Sequence, residues 1–374
     1  MSMNYDLSLQ LQANFTINIL NTLINSNEDV AFSSYTLTLA LAICYLGSSG
    51  ITEIEFKKVL SPSYVMKGDY CEMLGDSFAN IYGSGRRGDS IYIGNKLFFQ
   101  QDYAVNKIFK LETEKYFKTT FESVDFDNST FTAQKVYDFI KKSSGGKTHN
   151  TIKSDNIISS KKGIITNAFY FKNIWKESFN ESLTSDGKFF AKNGTTKIVK
   201  MMRKIDTLIY GNDKNFHVVR LPYSNGNSEF VLILPKDSNM LHYYLENLKD
   251  KDLLNLIALT YYEYIDLVMP KFTVEVSHDF KEPLNKLGVL SAFNGSANFS
   301  MITKEDNFMI DYISQKVSVD VNEEGIESDE ITHLWHKSTS SVSSGNEPIV
   351  VKADHPFLYL IINENNILFA GIYQ

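Results

Sequence analysis

Three short motifs in this sequence have residue types and spacings that could support chemistry. His333 and His336 are three residues apart, which suits zinc, but no cysteine pair or carboxylate motif accompanies them. Residues 83–88 match the GxGxxG pattern of dinucleotide sites, yet a helical pattern precedes them and a strand pattern follows, the reverse of the required order. Residues 145–148 resemble a phosphate loop, but position 141 is lysine where that loop needs glycine. These patterns predict no metal, no cofactor and no enzymatic activity.

Composition argues against other classes of protein. The 374 residues include 37 basic and 44 acidic side chains, and the net charge of −7 disfavours nucleic-acid binding. Cys44 and Cys71 are the only cysteines, too few for a disulfide framework, so we expect two free thiols. The longest apolar-rich run, residues 37–46, is about half a membrane span. The start shows no signal-peptide pattern, so we expect a protein that is cytoplasmic or secreted without a classical signal peptide.

The elements that must position any site follow from hydrophobic periodicity. Apolar residues at every fourth position predict an amphipathic helix over about residues 5–25. A second helix is expected after residues 33–34 with Gly47 as its stop, and Thr52 with Glu55 fits a capping box that starts a third. Further helices are predicted at 102–121 and 131–142, and strands at 90–99, 164–175, 218–223, 229–234, 357–362 and 367–373. Helices come first and strands dominate the second half without βαβ alternation, which favours an α+β fold.

Five segments resemble characteristic segments of the serpin family and follow in the family's order. They are residues 30–36 (VAFSSYT), 166–175 (TNAFYFKNIW), 269–272 (MPKF), 319–325 (VDVNEEG) and 355–361 (HPFLYLI). The resemblance implies a single serpin domain over residues 1–374, with three β-sheets, about nine helices and an exposed reactive-centre loop at about 323–348. That loop coincides with the polar, serine-rich segment 323–347, which has neither a helical nor a strand period.

The resemblance also implies a mechanism, in which a protease attacks the loop and forms an acyl-enzyme. The cut loop then inserts into the main sheet and distorts the protease before deacylation, so the native fold is metastable. Glu323 is expected to pair with Lys271 beside Trp175 in a breach cluster, where the loop enters the sheet. The hinge of the loop comprises Glu323, Glu324, Gly325, Ile326, Glu327, Ser328 and Glu330.

A second polar cluster, the shutter cluster, is implied where the main sheet opens. It comprises Ser33, Thr36, Asn167 and Gln315. Gln315 stands where the family usually has histidine, and an amide can still donate and accept hydrogen bonds. The resemblance therefore implies that the network survives the replacement.

The hinge departs from the pattern of inhibitory serpins, which usually have Thr or Ser and then alanines after the glycine. On insertion, alternate residues should face the core; these are Ile326, Ser328, Glu330, Thr332 and Leu334. An unpaired carboxylate at Glu330 would cost several kcal/mol if buried. A full ladder of new hydrogen bonds favours insertion. The sequence does not decide whether these bonds outweigh the cost of burying Glu330.

The usual hinge length places the reactive bond at Thr339-Ser340. A shifted register would instead put Lys337 there, for a trypsin-like protease, or Leu334 or Trp335, for a chymotrypsin-like one. We therefore expect a monomeric suicide inhibitor of a serine protease, with a cysteine protease as the alternative target. The alternative function is a non-inhibitory serpin-fold binding protein or protease substrate. No nucleic-acid or membrane partner is expected.

Overall fold

The structure is a computed structural model that describes residues 6–24, 28–83, 90–143, 163–305, 308–310, 312–326 and 347–374. Its α-helices are α1 Leu7–Leu23, α2 Ser34–Gly47, α3 Gly50–Leu60, α4 Lys67–Gly83, α5 Lys107–Phe117, α6 Ser129–Ser143, α7 Leu241–Asn247, α8 Asp250–Ala258 and α9 Lys281–Lys286. Its strands are β1 Val30–Phe32, β2 Ser90–Gln100, β3 Thr120–Val124, β4 Gly163–Ile174, β5 Ser185–Phe190, β6 Thr196–Asn212, β7 Phe216–Pro222, β8 Ser228–Pro235, β9 Tyr261–Pro270, β10 Phe272–Asp279, β11 Tyr312–Val321, β12 Gly325–Ile326, β13 Ile349–Lys352, β14 Phe357–Asn363 and β15 Asn366–Tyr373.

A six-stranded sheet contains the segments that the resemblance assigns to the main sheet. Its order is β10-β11-β4-β2-β3, and the two-residue strand β12 pairs with β4. Strand β4 is antiparallel to β2 and parallel to β11, and β11 is antiparallel to β10. The parallel pair β4–β11 therefore lies in the middle of this sheet.

A nine-stranded sheet forms the other layer, in the order β1-β15-β14-β8-β7-β6-β9-β13 with β5 paired to β6. The 17-residue strand β6 belongs to two parts of it, since its end pairs with β7 while the rest pairs with β5 and β9. With the six-stranded sheet these parts make three sheets. The predicted α+β architecture with three sheets and about nine helices is confirmed within the described ranges.

Helix α2 connects the two layers. Every residue from Ser34 to Gly47 is buried, as expected for a helix that is apolar on all sides. It packs against both β4 and β15. Its N-cap is Ser33, whose Oγ accepts a hydrogen bond from the Thr36 backbone N–H at 3.3 Å. The start of α2 is thereby fixed close to the middle of the six-stranded sheet.

Several local predictions are confirmed, including the helix that ends at Gly47, the four strands now seen as β7, β8, β14 and β15, and the free thiols of Cys44 and Cys71, which are both buried. The capping box was wrong, since α3 begins at Gly50 and Thr52 bonds Ser291 instead. The helix predicted at 102–121 was too long, because α5 ends at Phe117 and residues 120–124 form β3. Helices α4, α7, α8 and α9 were not predicted.

Candidate functional site

The chain reverses direction between β11 and β12 in a turn at residues 322–324. Asn322 closes this turn, because its backbone N–H donates to the Gly325 carbonyl at 3.0 Å. Its side-chain Oδ1 accepts from the N–H groups of Glu324 and Gly325 at 3.0 and 3.1 Å. Gly325 has φ +136°, and a Cβ there would lie 2.5 Å from the Asn173 carbonyl oxygen. Only glycine therefore fits this position without strain.

Trp175, at the end of β4, holds the turn through its backbone and its ring. Its backbone N–H donates to the Glu324 carbonyl and its indole Nε1 to the Asn322 carbonyl, each at 2.8 Å. The Phe179 N–H donates to the intervening carbonyl of Glu323, also at 2.8 Å. The indole stacks on Tyr223 with ring centroids 4.7 Å apart and an interplanar angle of 7°. Three consecutive carbonyls of the turn are thus bonded to one aromatic cluster.

Glu323 and Lys271 form an ion pair beside this cluster. Lys271 Nζ lies 2.8 Å from Glu323 Oε2, and the Thr184 hydroxyl donates to Oε1 at 2.9 Å. The Glu323 side chain is only 8% exposed. Burial alone would raise its pKa, but the hydrogen bonds from Lys271 and Thr184 outweigh burial and hold the pKa below its usual value. Glu323 is therefore charged at neutral pH and fixes the turn to the start of β10.

Strands β4 and β11 pair directly along only part of their length. Their parallel register runs from Tyr312↔Ile164 to Lys316↔Ala168. Nearer the turn, β12 pairs antiparallel with β4, with Gly325 opposite Ile174. On β11, buried side chains at positions 317, 319 and 321 face the core of this region. The sheet thus already holds the first two residues of an additional strand between β4 and β11.

Gln315, on β11, connects this part of the sheet to the start of α2. Its Nε2 donates to the Ser33 carbonyl at 2.9 Å and to Thr36 Oγ1 at 3.0 Å, while its Oε1 accepts from the Ser33 N–H at 2.7 Å. The Ser33 hydroxyl donates to the Leu368 carbonyl at 2.8 Å. Both the donor and the acceptor functions of the amide are used, so β11, α2 and β15 are linked through buried bonds.

Several predicted residues lie outside what the structure describes. Asn167 is described by its backbone, which pairs with Gln315, and Ile326 by its backbone opposite Asn173. The remaining hinge and reactive-bond positions lie outside the described residues; they are Glu327, Ser328, Glu330, Leu334, Trp335, Lys337, Thr339 and Ser340. The motif histidines His333 and His336 and the glycine-rich segment 84–88 lie outside as well.

Four residues of the site were not identified from the sequence. Asn322, Phe179, Thr184 and Tyr223 contact the turn, its ion pair or Trp175. For Asn322 a signal existed, since asparagine followed three residues later by glycine is typical of a tight turn. The other three come from distant segments, and no local pattern indicates their role.

Other kinds of site find no support in the part of the chain that is described. Within those ranges, no three His, Cys, Asp or Glu side chains are grouped closely enough to bind a metal. Among the helices that the structure describes, none combines the length and apolar character that crossing a membrane requires.

Comparisons with known proteins agree with the fold. The family model "Serpin (serine protease inhibitor)" matches residues 10–374. Leukocyte elastase inhibitor of Bos taurus is 30% identical over 370 residues and antichymotrypsin-2 of Bombyx mori 26% identical over 368, with 96% of both chains covered in each comparison. Human thyroxine-binding globulin has the same fold at a TM-score of 0.86 with 21% identity, covering 98% of this chain and 97% of the other. Because the family model spans nearly the whole sequence, this chain belongs to the serpin family.

Proposed function

We propose that this serpin is a suicide inhibitor of a serine protease, and that its reactive bond is Thr339-Ser340. The observation that carries the proposal is strand β12, which is already paired with β4. A cut loop would lengthen β12 into a full strand between β4 and β11, and the acyl-enzyme would be carried with it. The protease would then be distorted before water could release it.

The register of β12 supports this choice of bond. Gly325 lies opposite Ile174 and Ile326 opposite Asn173, so each further loop residue would pair one position earlier on β4. Continued in this way, position 336 would lie opposite Gly163, the first residue of β4. The reactive bond counted from the hinge would then follow three residues beyond the end of the new strand. A protease attached at Thr339 would therefore be carried to the far end of the sheet.

The hydrogen-bond balance favours insertion. A new strand would break the short β4–β11 register and replace it with ladders on both of its sides. Each added hydrogen bond contributes about 0.5–1.5 kcal/mol net. The buried residues Val317, Val319 and Val321 would line the core side of the new strand, so apolar loop residues would also gain burial.

In this proposal the two clusters have different tasks. The breach cluster, Trp175 with Lys271 and its partner Glu323, keeps the first residues of the hinge in register. The shutter cluster, Ser33, Thr36, Asn167 and Gln315, links β11 to α2 and must rearrange when the strands part. The whole chain acts as one monomeric serpin domain without a cofactor, and its reactive-centre loop spans about residues 323–348.

Relatives support an inhibitory role and a protease partner. Leukocyte elastase inhibitor is named as an inhibitor, and antichymotrypsin-2 is named as acting against chymotrypsin. A third, intracellular coagulation inhibitor 2 of Tachypleus tridentatus, is 30% identical and is named as intracellular. We propose a cytoplasmic location on this basis, with a serine protease as the target class and a cysteine protease as the alternative.

A non-inhibitory function is the second candidate, and Glu330 favours it. In the register of β12, position 330 would face the core opposite position 169, next to Val317. A carboxylate there opposes insertion. The structural similarity to thyroxine-binding globulin, whose name describes a binding protein, is compatible with a binding role or with a protein that is merely cut by proteases.

The test is to mix the protein with trypsin-, chymotrypsin- and elastase-like proteases and look for complexes that survive SDS. Mass spectrometry of the cut loop identifies the reactive bond, which we expect between Thr339 and Ser340. Ser328→Arg places a long cation on the core side of the new strand and should convert the inhibitor into a substrate. Glu327→Arg, one residue away on the opposite side, is the matched control and should still trap the protease. If the wild-type loop is cut by every protease without any complex, the inhibitory function is wrong.

A further inference from the structure

One face of the sheet formed by β6, β9 and β13 exposes apolar side chains beside the end of the reactive-centre loop. Strand pairing puts Ile205 opposite Asp266 and Asp266 opposite Val350, while Tyr264 and Tyr262 follow on the same side of β9. Tyr262 is 72% exposed, Val350 62%, Ile205 42% and Tyr264 36%. We call these four residues the loop-proximal face.

In the middle of this face, the charges of Arg203 and Asp266 neutralise each other. Arg203 Nε and Nη2 donate to the two carboxylate oxygens of Asp266 at 2.8 and 2.7 Å. This bidentate pair lowers the pKa of the Asp266 carboxyl, so the charges remain matched at neutral pH. The surface therefore presents aromatic and aliphatic groups around a closed ion pair. Exposed tyrosines in such a setting are typical of protein–protein contacts.

The position of the face relative to the loop indicates its partner. Strand β13 is parallel to β9, with Ile349 opposite Ile265, so the residues that precede Ile349 leave the sheet beside Tyr264. Seven residues lie between Ser340 and Pro348, and seven extended residues reach at most about 25 Å. A protease domain of about 200 residues has a radius of gyration of about 16 Å, and as a uniform sphere a radius of about 21 Å. This reach is shorter than the diameter of the protease, so a protease that holds the reactive bond lies within one of its own diameters of this end of the sheet.

We propose that the loop-proximal face is a docking surface for the body of the target protease, an inference that rests on the proposed function. The face contacts an apolar patch beside the protease active site while the loop occupies the active site itself. Tyr262 and Tyr264 provide most of the contact, because aromatic side chains dominate the energy of such interfaces. The face governs the rate at which the protease is captured, and it has no part in strand insertion.

The experiment compares the wild type with Tyr262→Ser, Tyr264→Ser and the double variant. The measured quantities are the second-order rate constant of association with the protease and the number of inhibitor molecules consumed per protease trapped. The double variant should associate about tenfold more slowly, with an unchanged number consumed and an unchanged thermal midpoint. Tyr64→Ser removes an exposed tyrosine from the segment between α3 and α4 and should behave as the wild type.

Failure of this inference can be distinguished from failure of the proposed function. If the wild type forms no stable complex with any protease, the inhibitory function is wrong, and the same variants are then compared by kcat/KM for cleavage of the loop. The protease docks before it is either trapped or released after cutting the loop. The value of kcat/KM for cleavage should therefore still fall about tenfold in the double variant. An association rate, or kcat/KM, that is equal in the wild type and the double variant would overturn the docking surface. An equal loss in Tyr64→Ser would overturn it as well.

Discussion

Replacing Glu330 should reveal how strongly the hinge opposes its own insertion. In the register set by Gly325 and Ile326, position 330 would face the core next to Val317, which is almost fully buried. Two positions along β11 lies Gln315, whose amide is already bonded to Ser33 and Thr36. Among the described side chains of β11, the carboxylate would therefore meet only Val317 and an amide that is already bonded, and Glu330→Ala should speed insertion and raise the yield of trapped protease.

The size of the effect follows from the titration of the carboxyl group. A glutamate with an ordinary pKa of about 4.3 can always enter the sheet in its protonated form. The free energy needed to protonate it is about 3.7 kcal/mol at pH 7. This value is the upper limit of the charge penalty, and it falls to about 1.1 kcal/mol at pH 5. If the transition state of insertion bears the whole penalty, the rate changes by a factor of about 500, and by about 20 if it bears half.

The sign of the pH dependence follows from the same argument. Burial raises the pKa of the inserted carboxyl above its value in the free loop, so the penalty is absent below about pH 4.3 and grows as the pH rises. The wild type should thus trap protease more efficiently at pH 5 than at pH 7, relative to Glu330→Ala. Glu330→Gln, which keeps the size of the side chain, should lose this pH dependence.

The assay counts the inhibitor molecules consumed per trapped protease at each pH, for a protease that cuts the loop. Glu327→Ala is the matched control, because position 327 would lie on the opposite side of the new strand. Loss of its carboxylate should leave the number of inhibitor molecules consumed per trapped protease unchanged. Equal trapping by the wild type, Glu330→Ala and Glu330→Gln across this pH range would refute the assigned register. A gain in Glu327→Ala as large as in Glu330→Ala would do the same.

Three further predictions concern the described clusters. Gly325→Ala should cost about 1–3 kcal/mol, because φ +136° and a 2.5 Å contact to backbone leave no room for a Cβ; a lower thermal midpoint checks this, and an unchanged midpoint would contradict it. Lys271→Met should cost about 1–3 kcal/mol at pH 7, and its difference from the wild type should disappear as the pH falls from 4.5 through the lowered pKa of Glu323, since the carboxylate stabilises the fold only while charged; thermal midpoints measured over pH 3–7 test both. Gln315→Leu removes three buried hydrogen bonds and should cost at least about 3 kcal/mol, whereas Gln315→His should retain most of the stability, and equal thermal midpoints for the two variants would argue against the network.

Much of the site could be anticipated because its residues lie in segments that resemble a known family. Lys271 and Glu323 are 52 residues apart, and no local pattern connects them. Their proximity was expected only from the MPKF and VDVNEEG segments taken together, and the structure places the two side chains in contact. Helix α2 was different, since the local signals at residues 33–34 and at Gly47 alone predict its two ends.

Predictions failed where a side chain served a distant contact. Thr52 and Glu55 have the spacing of a capping box, yet Thr52 bonds the Ser291 hydroxyl and Glu55 accepts from the N–H groups of Leu290 and Ser291. Helix α7 was missed because only two of its seven residues are buried, which is too few to establish a period of 3.6. In both cases the information lies in tertiary contacts rather than in the segment itself.

The turn at residues 322–324 has a kinetic consequence. Forming a new strand is slow mainly at its first contact, because chain entropy is lost before hydrogen bonds compensate for it. Trp175 and Phe179 bond the three carbonyls of this turn, so in this protein that nucleation step is completed during folding. In the proposed mechanism, only propagation from the β12–β4 pairing would remain after the loop is cut, and strand pairing of this size forms in about 1–10 μs. Enzymatic turnover takes on the order of a millisecond or longer, so under the proposed mechanism insertion of the nucleated strand would be faster than deacylation.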